Sequence, residues 1–321
     1  MAKDAKISRE KVFSGWALLP KGKAPDTVTP GCLVLEGGAF RGLYTAGVLD
    51  ALLEEGISLQ TVIGVSAGAM NGLNYQAGQI GRAARINLRY RHDKRYVGTR
   101  PLLKDGGVIG FDFVMNDLQL EEPFDWDRFQ DPRRDFYAVV SDVNTGAARY
   151  VSKKEPVDIL KAVQASASMP FVSKPVVLDE VPYLDGGCTD KVPIEWALSK
   201  QFEKIIVVRT RPDGYRKGAD TQLQKDMIQR FYHASPDFAQ ALASSNERYD
   251  RQMEEIERLS RRRRIIQIAP SQPVTISRLE GDMEKLGELY YLGYHDARAK
   301  MPKIREYLGI GTSDQSLGSV N

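Results

Sequence analysis

In Thr61-Val62-Ile63-Gly64-Val65-Ser66-Ala67-Gly68-Ala69-Met70, a run of β-branched apolar residues gives way within a few positions to small helix formers. Val62, Ile63 and Val65 suit a strand buried on both faces, and Ala67, Ala69 and Met70 suit the first turn of a helix. Between them, Gly64-x-Ser66-x-Gly68 has the spacing of a nucleophile elbow. The two glycines have a steric purpose. A strand that turns this sharply into a helix brings backbone so close that a β-carbon at either site would collide. The turn predicts a Ser66 hydroxyl standing at a strand end, facing the N–H end of the next helix, where developing negative charge is favoured. The alternative is a plain strand-to-helix turn, since glycine and serine are common and the motif is short.

Upstream, Gly31-Cys32-Leu33-Val34-Leu35-Glu36 is a second apolar run, ending at Gly37-Gly38-Ala39-Phe40-Arg41-Gly42. Val48, Leu49, Leu52 and Leu53 then recur at helical spacing, with Gly56 as a stop. Strand, glycine loop, helix, strand, elbow and helix form a βαβα start, which predicts a parallel sheet with right-handed crossovers. Downstream, the pattern predicts helices over 67–78 and 81–92. Residues 93–131, with Gly106-Gly107 and several aromatics, read as an excursion with one short helix, either a substrate-side cap or a surface loop. Residues 136–141 and 148–151 read as strands joined at Asn144-Thr145-Gly146. A helix over 155–168 stops before Pro170. Short strands at 176–178 and 183–184 lead into Asp185-Gly186-Gly187, and a helix near 194–200 precedes a buried strand at 204–209. The last third reads as helices over 219–232, 236–260 and 282–307, with one strand at 265–268. The four arginines at 261–264 read as a solvated helix end, with contact to lipid as the alternative.

The expected organisation is an N-terminal arm over 1–30, a catalytic core over 31–210, a mainly helical C-terminal extension over 211–308 and a flexible tail over 309–321. The 321 residues are 42% hydrophobic and 27% charged, an ordinary globular composition long enough for one large α/β domain or two smaller ones. A net charge of +3 is too small to argue for nucleic acid but is compatible with anionic lipid surfaces. Two cysteines, Cys32 and Cys188, without a CxxC, argue against a disulfide framework or a structural zinc site. The first residues lack the apolar core of a signal peptide, and no apolar run reaches the roughly 18 residues of a membrane span. These features predict a soluble, cytoplasmic protein without a transmembrane segment, meeting lipid, if at all, peripherally from outside.

A serine hydroxyl needs a base to become a nucleophile. The chain has three histidines, His92, His233 and His295, each in a polar helical or helix-end context. None follows a strand and turn, so a Ser-His-Asp triad is the weaker arrangement. A carboxylate within hydrogen-bond reach can serve instead. Asp185 is the best placed, after a short apolar segment and before two glycines that let backbone crowd in, although an ordinary Asp-Gly turn has the same look. Gly37, Gly38 and Ala39 lie between a strand end and a helix start and can present adjacent free amides to an oxyanion, with Arg41 adding positive charge. The rival use of this loop is nucleotide binding. However, G-x-G-x-x-G fails at Ala39, and no Walker GK[ST] is present.

Three elements therefore stand in order: Glu36-Gly37-Gly38-Ala39-Phe40-Arg41-Gly42, Gly64-Val65-Ser66-Ala67-Gly68 and Asp185-Gly186-Gly187. The set resembles the patatin-like phospholipases, in particular their bacterial members. Ala165-Ser166-Ala167-Ser168-Met169-Pro170 is similar to the family's A-S-x-A-x-P segment, and Ser141-Asp142-Val143-Asn144-Thr145-Gly146 to its strand-and-turn feature. The resemblance covers about 31–210. It implies a three-layer α/β/α sandwich with a central, mostly parallel sheet. It also implies a Ser66 nucleophile, an Asp185 base without histidine, and an oxyanion hole from Gly37, Gly38 and Ala39 supported by Arg41. Ala39 departs from the third glycine found in many members, which implies a tighter loop that keeps its amide. The implied activity is hydrolysis of a phospholipid or lysophospholipid acyl ester, with no metal or other cofactor. An esterase or thioesterase acting on soluble acyl chains, and a non-catalytic lipid-binding member of the fold, are the alternatives. The last third of the chain adds nothing to the choice of substrate.

Overall fold

A computed structural model describes residues 11–104 and 106–311. Residues 1–10 of the expected arm and 312–321 of the expected tail lie outside the described residues. The front of the chain runs through β1 (Gly22–Lys23), β2 (Thr29–Leu35), a 3-10 turn (Ala39–Arg41), α1 (Gly42–Glu54), β3 (Leu59–Val65) and α2 (Ala67–Gln76). This is the βαβα order the apolar runs predict. β4 (Gln79–Ile80) closes a small ribbon with β1, and α3 (Arg82–Tyr90) follows.

Residues 93–131 correct the expectation of one short helix. They contain α4 (Thr99–Lys104), α5 (Phe111–Met115), α6 (Trp126–Gln130) and a 3-10 turn over Asp117–Leu120. The reason lies in local packing. Tyr90, Tyr96, Phe113 and Leu118 gather with Ile86 into a small core of their own. Asp125 caps α6 by accepting the Arg128 N–H at 3.1 Å.

The sheet then continues through β5 (Asp135–Asp142) and β6 (Ala148–Ser152). After α7 (Ile159–Ser166) come β7 (Val176–Leu178) and β8 (Val181–Asp185), then α8 (Ile194–Ser199) and β9 (Ile205–Val208). Next are α9 (Gln222–Phe231), α10 (Pro236–Ala243), α11 (Ser245–Arg261), β10 (Ile266–Ile268) and α12 (Met283–Leu308). The helix expected over 236–260 is broken at Ser244. Its hydroxyl donates to the Gln240 carbonyl at 3.0 Å, the local side-chain bond that competes with helix continuation.

Eight strands form one sheet in the order β10-β9-β2-β3-β5-β8-β7, with β6 also paired to β5. From β10 to β5 every pairing is parallel, while β6, β8 and β7 join antiparallel, so the sheet is mixed and mostly parallel. The period of two along β2 separates the layers. Leu33 and Leu35 belong to a core shared with α1, α2 and α12, whereas Cys32 and Val34 face a second core built with Trp196 of α8 and Tyr249, Met253 and Ile256 of α11. Helices on both faces bury the strands, which explains why β2, β3 and β9 read as unbroken apolar runs. The result is the expected α/β/α sandwich.

α12 crosses α1 at two glycines. A β-carbon on Gly47 would lie 2.0 Å from the Tyr290 carbonyl oxygen, and one on Gly293 would lie 2.0 Å from that of Tyr44. Beside this crossing, the Tyr290 hydroxyl donates to the buried Asp50 carboxylate at 2.9 Å. Because backbone faces backbone, no rotamer change can relieve an added methyl. Gly293→Ala should therefore destabilise the fold by about 1–3 kcal/mol, the usual range for overpacking. A fall in the urea midpoint without a change of slope would be the readout, and an unchanged midpoint would contradict the close crossing.

Candidate active site

β3 ends at Val65 and α2 begins at Ala67, leaving Ser66 alone at the turn with φ 56° and ψ −123°. Such a conformation costs an L residue roughly 1–3 kcal/mol and persists only where its surroundings hold it. The surroundings are tight. A β-carbon on Gly64 would stand 2.5 Å from the Ala69 nitrogen, and one on Gly68 would stand 2.6 Å from the Leu35 carbonyl oxygen. Ser166, at the end of α7, accepts the Ser66 N–H at 2.9 Å and so fixes the strained residue from its other side.

Asp185 is the last residue of β8, held in register by pairing with Val140 of β5. Its N–H donates to the Ser168 carbonyl at 2.8 Å, and its own carbonyl accepts the Ser141 hydroxyl at 2.8 Å. The A-S-x-A-x-P segment thus carries one residue that holds the serine and another that holds the aspartate. The turn after Asp185 is clamped from α11. Arg248 donates to the Thr189 carbonyl at 2.6 Å, and Gln252 donates to Asp190 at 2.6 Å.

Ser66 and Asp185 line the same cleft, and the Ser66 side chain acts on the Asp185 carboxylate. Burial raises the Asp185 pKa above its ordinary value. Ser66, the Gly187 N–H at 2.7 Å and the charges of Lys191 and Arg278 pull it back. Lys191 and Lys217, both half-buried in the same cleft, are lowered by desolvation to about 8 and about 7. Lys191 donates to the Gly187 carbonyl at 2.7 Å.

Gly37, Gly38 and Ala39 lie against the serine, with a β-carbon on Gly37 falling 3.1 Å from that of Ser66. Among the described residues, their three N–H groups have no hydrogen-bond partner. The loop is fixed from behind. The buried Glu36 carboxylate accepts the Thr210 N–H at 2.6 Å, and the Thr210 hydroxyl donates to the Gly37 carbonyl at 3.1 Å. Arg41 is buried, and its Nε has no partner among the described residues. Burial first, and then Arg211 and Arg278, lower its pKa, while Glu36 opposes the shift.

Two cavities meet at Ser66. One, of about 60 Å³, is mostly apolar and lined by Phe40, Leu43, Met70, Val108, Ile109 and Met169; the Tyr96 side chain also lines it, its hydroxyl bonded to Asn87 at 2.8 Å. The other is an open cleft of about 570 Å³ that holds Asp185, the glycine loop, Arg41, Lys191, Lys217 and Arg278. The sequence singled out Ser66, Asp185, the loop and Arg41, and these come together. It missed Ser166, Thr210 and the cations at 191, 217 and 278, which had no local signal beyond the A-S-x-A-x-P similarity at Ser166. The histidines lie elsewhere. His92 bonds the Gly281 carbonyl, His233 bonds that of Arg230, and His295 stacks on Tyr291. Among the described residues, no group of three or more His, Cys, Asp or Glu side chains could hold a metal ion. No described helix is long and apolar enough to cross a membrane.

Residues 33–198 match the patatin-like phospholipase family, and residues 235–309 match a domain of unknown function, DUF6363. The chain is 30% identical over 186 residues to the uncharacterized protein YjjU of Escherichia coli (strain K12), covering 56% of this chain and 52% of that one. It is 25% identical over 210 residues to the probable lipid hydrolase 463L of Invertebrate iridescent virus 6, covering 58% of this chain and 71% of that one. Among solved structures, VipD from Legionella pneumophila aligns at 16% identity with a TM-score of 0.49, covering 94% of this chain and 72% of that one. The chain thus spans about half the length of the Escherichia coli relative (52%).

The raised Asp185 pKa has a consequence for stability. A carboxyl with a folded pKa above its unfolded value of 3.8 contributes stability that is complete below 3.8 and lost as pH rises through the folded value. As pH rises through the folded value the buried group ionises at a net cost, so the melting temperature of Asp185→Asn relative to wild type should climb with pH from its level in acid. A difference between variant and wild type that falls as pH rises from acid would contradict this account of the site.

Proposed function

This chain belongs to the patatin-like phospholipase family, and we propose that it hydrolyses a lipid acyl ester, a phospholipid or lysophospholipid, through Ser66 and Asp185. One observation carries the proposal: Ser66 stands where a small, partly open apolar cavity meets a larger, cation-lined cleft. A substrate with an apolar tail and an anionic head fits that division, with the acyl chain beside Met70 and Ile109 and the head group towards Lys217 and Arg278. The viral relative's description as a probable lipid hydrolase agrees with this substrate class.

In the proposed reaction, Asp185 takes the proton from Ser66 Oγ as the oxygen attacks the ester carbonyl. The free N–H groups of residues 37–39 receive the charge that moves onto the carbonyl oxygen. A single such donor is typically worth about 10²–10³ in rate. Collapse of the tetrahedral intermediate breaks the ester C–O bond, and Asp185 returns its proton to the departing alcohol. A water molecule then gives a proton to Asp185 and attacks the acyl-serine, releasing the fatty acid and restoring Ser66. Because the base must be ionised, turnover should rise with pH through the raised pKa of Asp185, giving an acid limb above 3.8.

The test is release of free fatty acid from phospholipid and lysophospholipid vesicles by the wild type and by Ser66→Ala. We expect the variant to lose roughly 10⁴-fold or more of the wild-type rate, as removal of a nucleophile does elsewhere. Turnover that survives in Ser66→Ala would overturn the proposal. Wild-type turnover confined to soluble esters would move the substrate to soluble acyl chains, and none at all would make the fold a binding protein.

A further inference from the structure

α9 buries a single residue of its ten, Ile228. Leu223, Met227 and Phe231 follow one another at four-residue spacing and so share one stripe of the helix. They are exposed to 71%, 62% and 57%. Isolated exposed apolar residues are ordinary on protein surfaces, but this stripe is joined to more of the same. The Phe171 ring meets that of Phe231 edge-on at 5.0 Å, and the Tyr232 hydroxyl accepts the Phe171 N–H at 2.9 Å. Phe171 and its neighbour Val172 are themselves about half exposed. Phe171, Val172 and Met227 also line the open cleft that holds Ser66. The apolar patch is therefore the rim of the cleft.

Cations accompany it. Arg230 lies one residue before Phe231, Lys174 two residues after Val172, and Arg278 beside Leu279 where the glycine loop meets the cleft. All three are exposed, and none has an ion-pair partner among the described residues. The acidic residue of α9, Asp226, is already bonded to Gln222, and Lys225 is paired with Glu247.

We propose that the α9 stripe and the Phe171-Val172 loop dock the protein on an anionic lipid surface with the cleft mouth against the head groups. Such a surface offers the two things the rim lacks: an apolar layer a few ångströms deep for Leu223, Met227 and Phe231, and negative charge for Arg230, Lys174 and Arg278. A second copy of the chain is a poorer occupant, since a two-fold contact would set the same cationic rim against itself. The inference rests on reading the cleft as a lipid-ester site, so docking has to be measured apart from turnover.

The full chain carrying Ser66→Ala is sedimented with vesicles of phosphatidylcholine alone and of phosphatidylcholine mixed with phosphatidylglycerol. We expect binding to the mixed vesicles, weakened by salt. Adding Leu223→Ser and Phe231→Ser should reduce it by about tenfold or more. Adding Lys174→Gln and Arg230→Gln instead should remove only the preference for phosphatidylglycerol. In the Ser66 background, Leu223→Ser with Phe231→Ser should leave hydrolysis of a monomeric short-chain ester unchanged, which separates lost docking from a lost fold. Vesicle binding through the stripe in a protein that cleaves no ester would uphold the docking and sink the hydrolase reading. Equal vesicle binding with and without the stripe, no vesicle binding by the parent, or a dimer that the stripe variant abolishes would each overturn the docking surface.

Discussion

The elbow backbone is pressed against the ends of its neighbouring strands, leaving no room for a side chain at Gly64 or Gly68. A β-carbon on Gly68 would meet the carbonyl oxygens of Leu35 and Glu36 at 2.6 and 2.8 Å. This contact sets the distance between the end of β2 and the start of α2. It thereby sets where the free amides of Gly37 and Gly38 stand relative to Ser66. A methyl group there would push the glycine loop and the serine apart, and shifts of about 1 Å at reacting atoms are enough to lose large factors in rate. The sheet supplies the rest. β2 pairs with β3 and β3 with β5, while β8 adds to β5 antiparallel and delivers Asp185 to the same end.

The same arrangement places a carboxylate where it is uncomfortable. Burial disfavours the charged form of Asp185, and the protein answers only in part, with one backbone N–H, the serine hydroxyl and two nearby cations. A fully solvated aspartate would be a weak base, and a fully neutralised one would be inert. The intermediate case leaves a carboxylate whose proton affinity is higher than usual and that shares its cleft with Ser66. The cations that temper it, Lys191 and Arg278, also face the open cleft, so one set of charges bears both on the base and on an anionic substrate.

Much of this was legible before any coordinates. Strands covered on both faces must be apolar throughout, so β2 and β3 announced themselves, and the glycine spacing around Ser66 was a steric signature rather than a statistical one. Asp185 was harder, because an Asp-Gly-Gly turn looks the same whether or not it faces a serine; its place in the order of motifs singled it out. Lys191, Lys217 and Arg278 could not be found this way. Each is one cation among 45 lysines and arginines, brought to the cleft by contacts distant in sequence. The three short helices between 99 and 130 were hidden for a related reason. Each is shorter than two helical turns, too brief to show a period, and the segment around α5 is stabilised by a local cluster of aromatics. The break at Ser244 depends on one hydroxyl choosing a backbone carbonyl over solvent.

The central claim is that Asp185 alone activates Ser66. Intact-mass analysis after exposure to a fluorophosphonate tests it most directly, with wild type and Asp185→Asn compared across a range of pH. The account predicts a single adduct on wild type, mapped to Ser66, forming faster as pH rises through the raised Asp185 pKa, and no adduct on the folded Asp185→Asn protein. An adduct on Asp185→Asn at the wild-type rate would show that another group takes the proton, and the dyad would have to be abandoned.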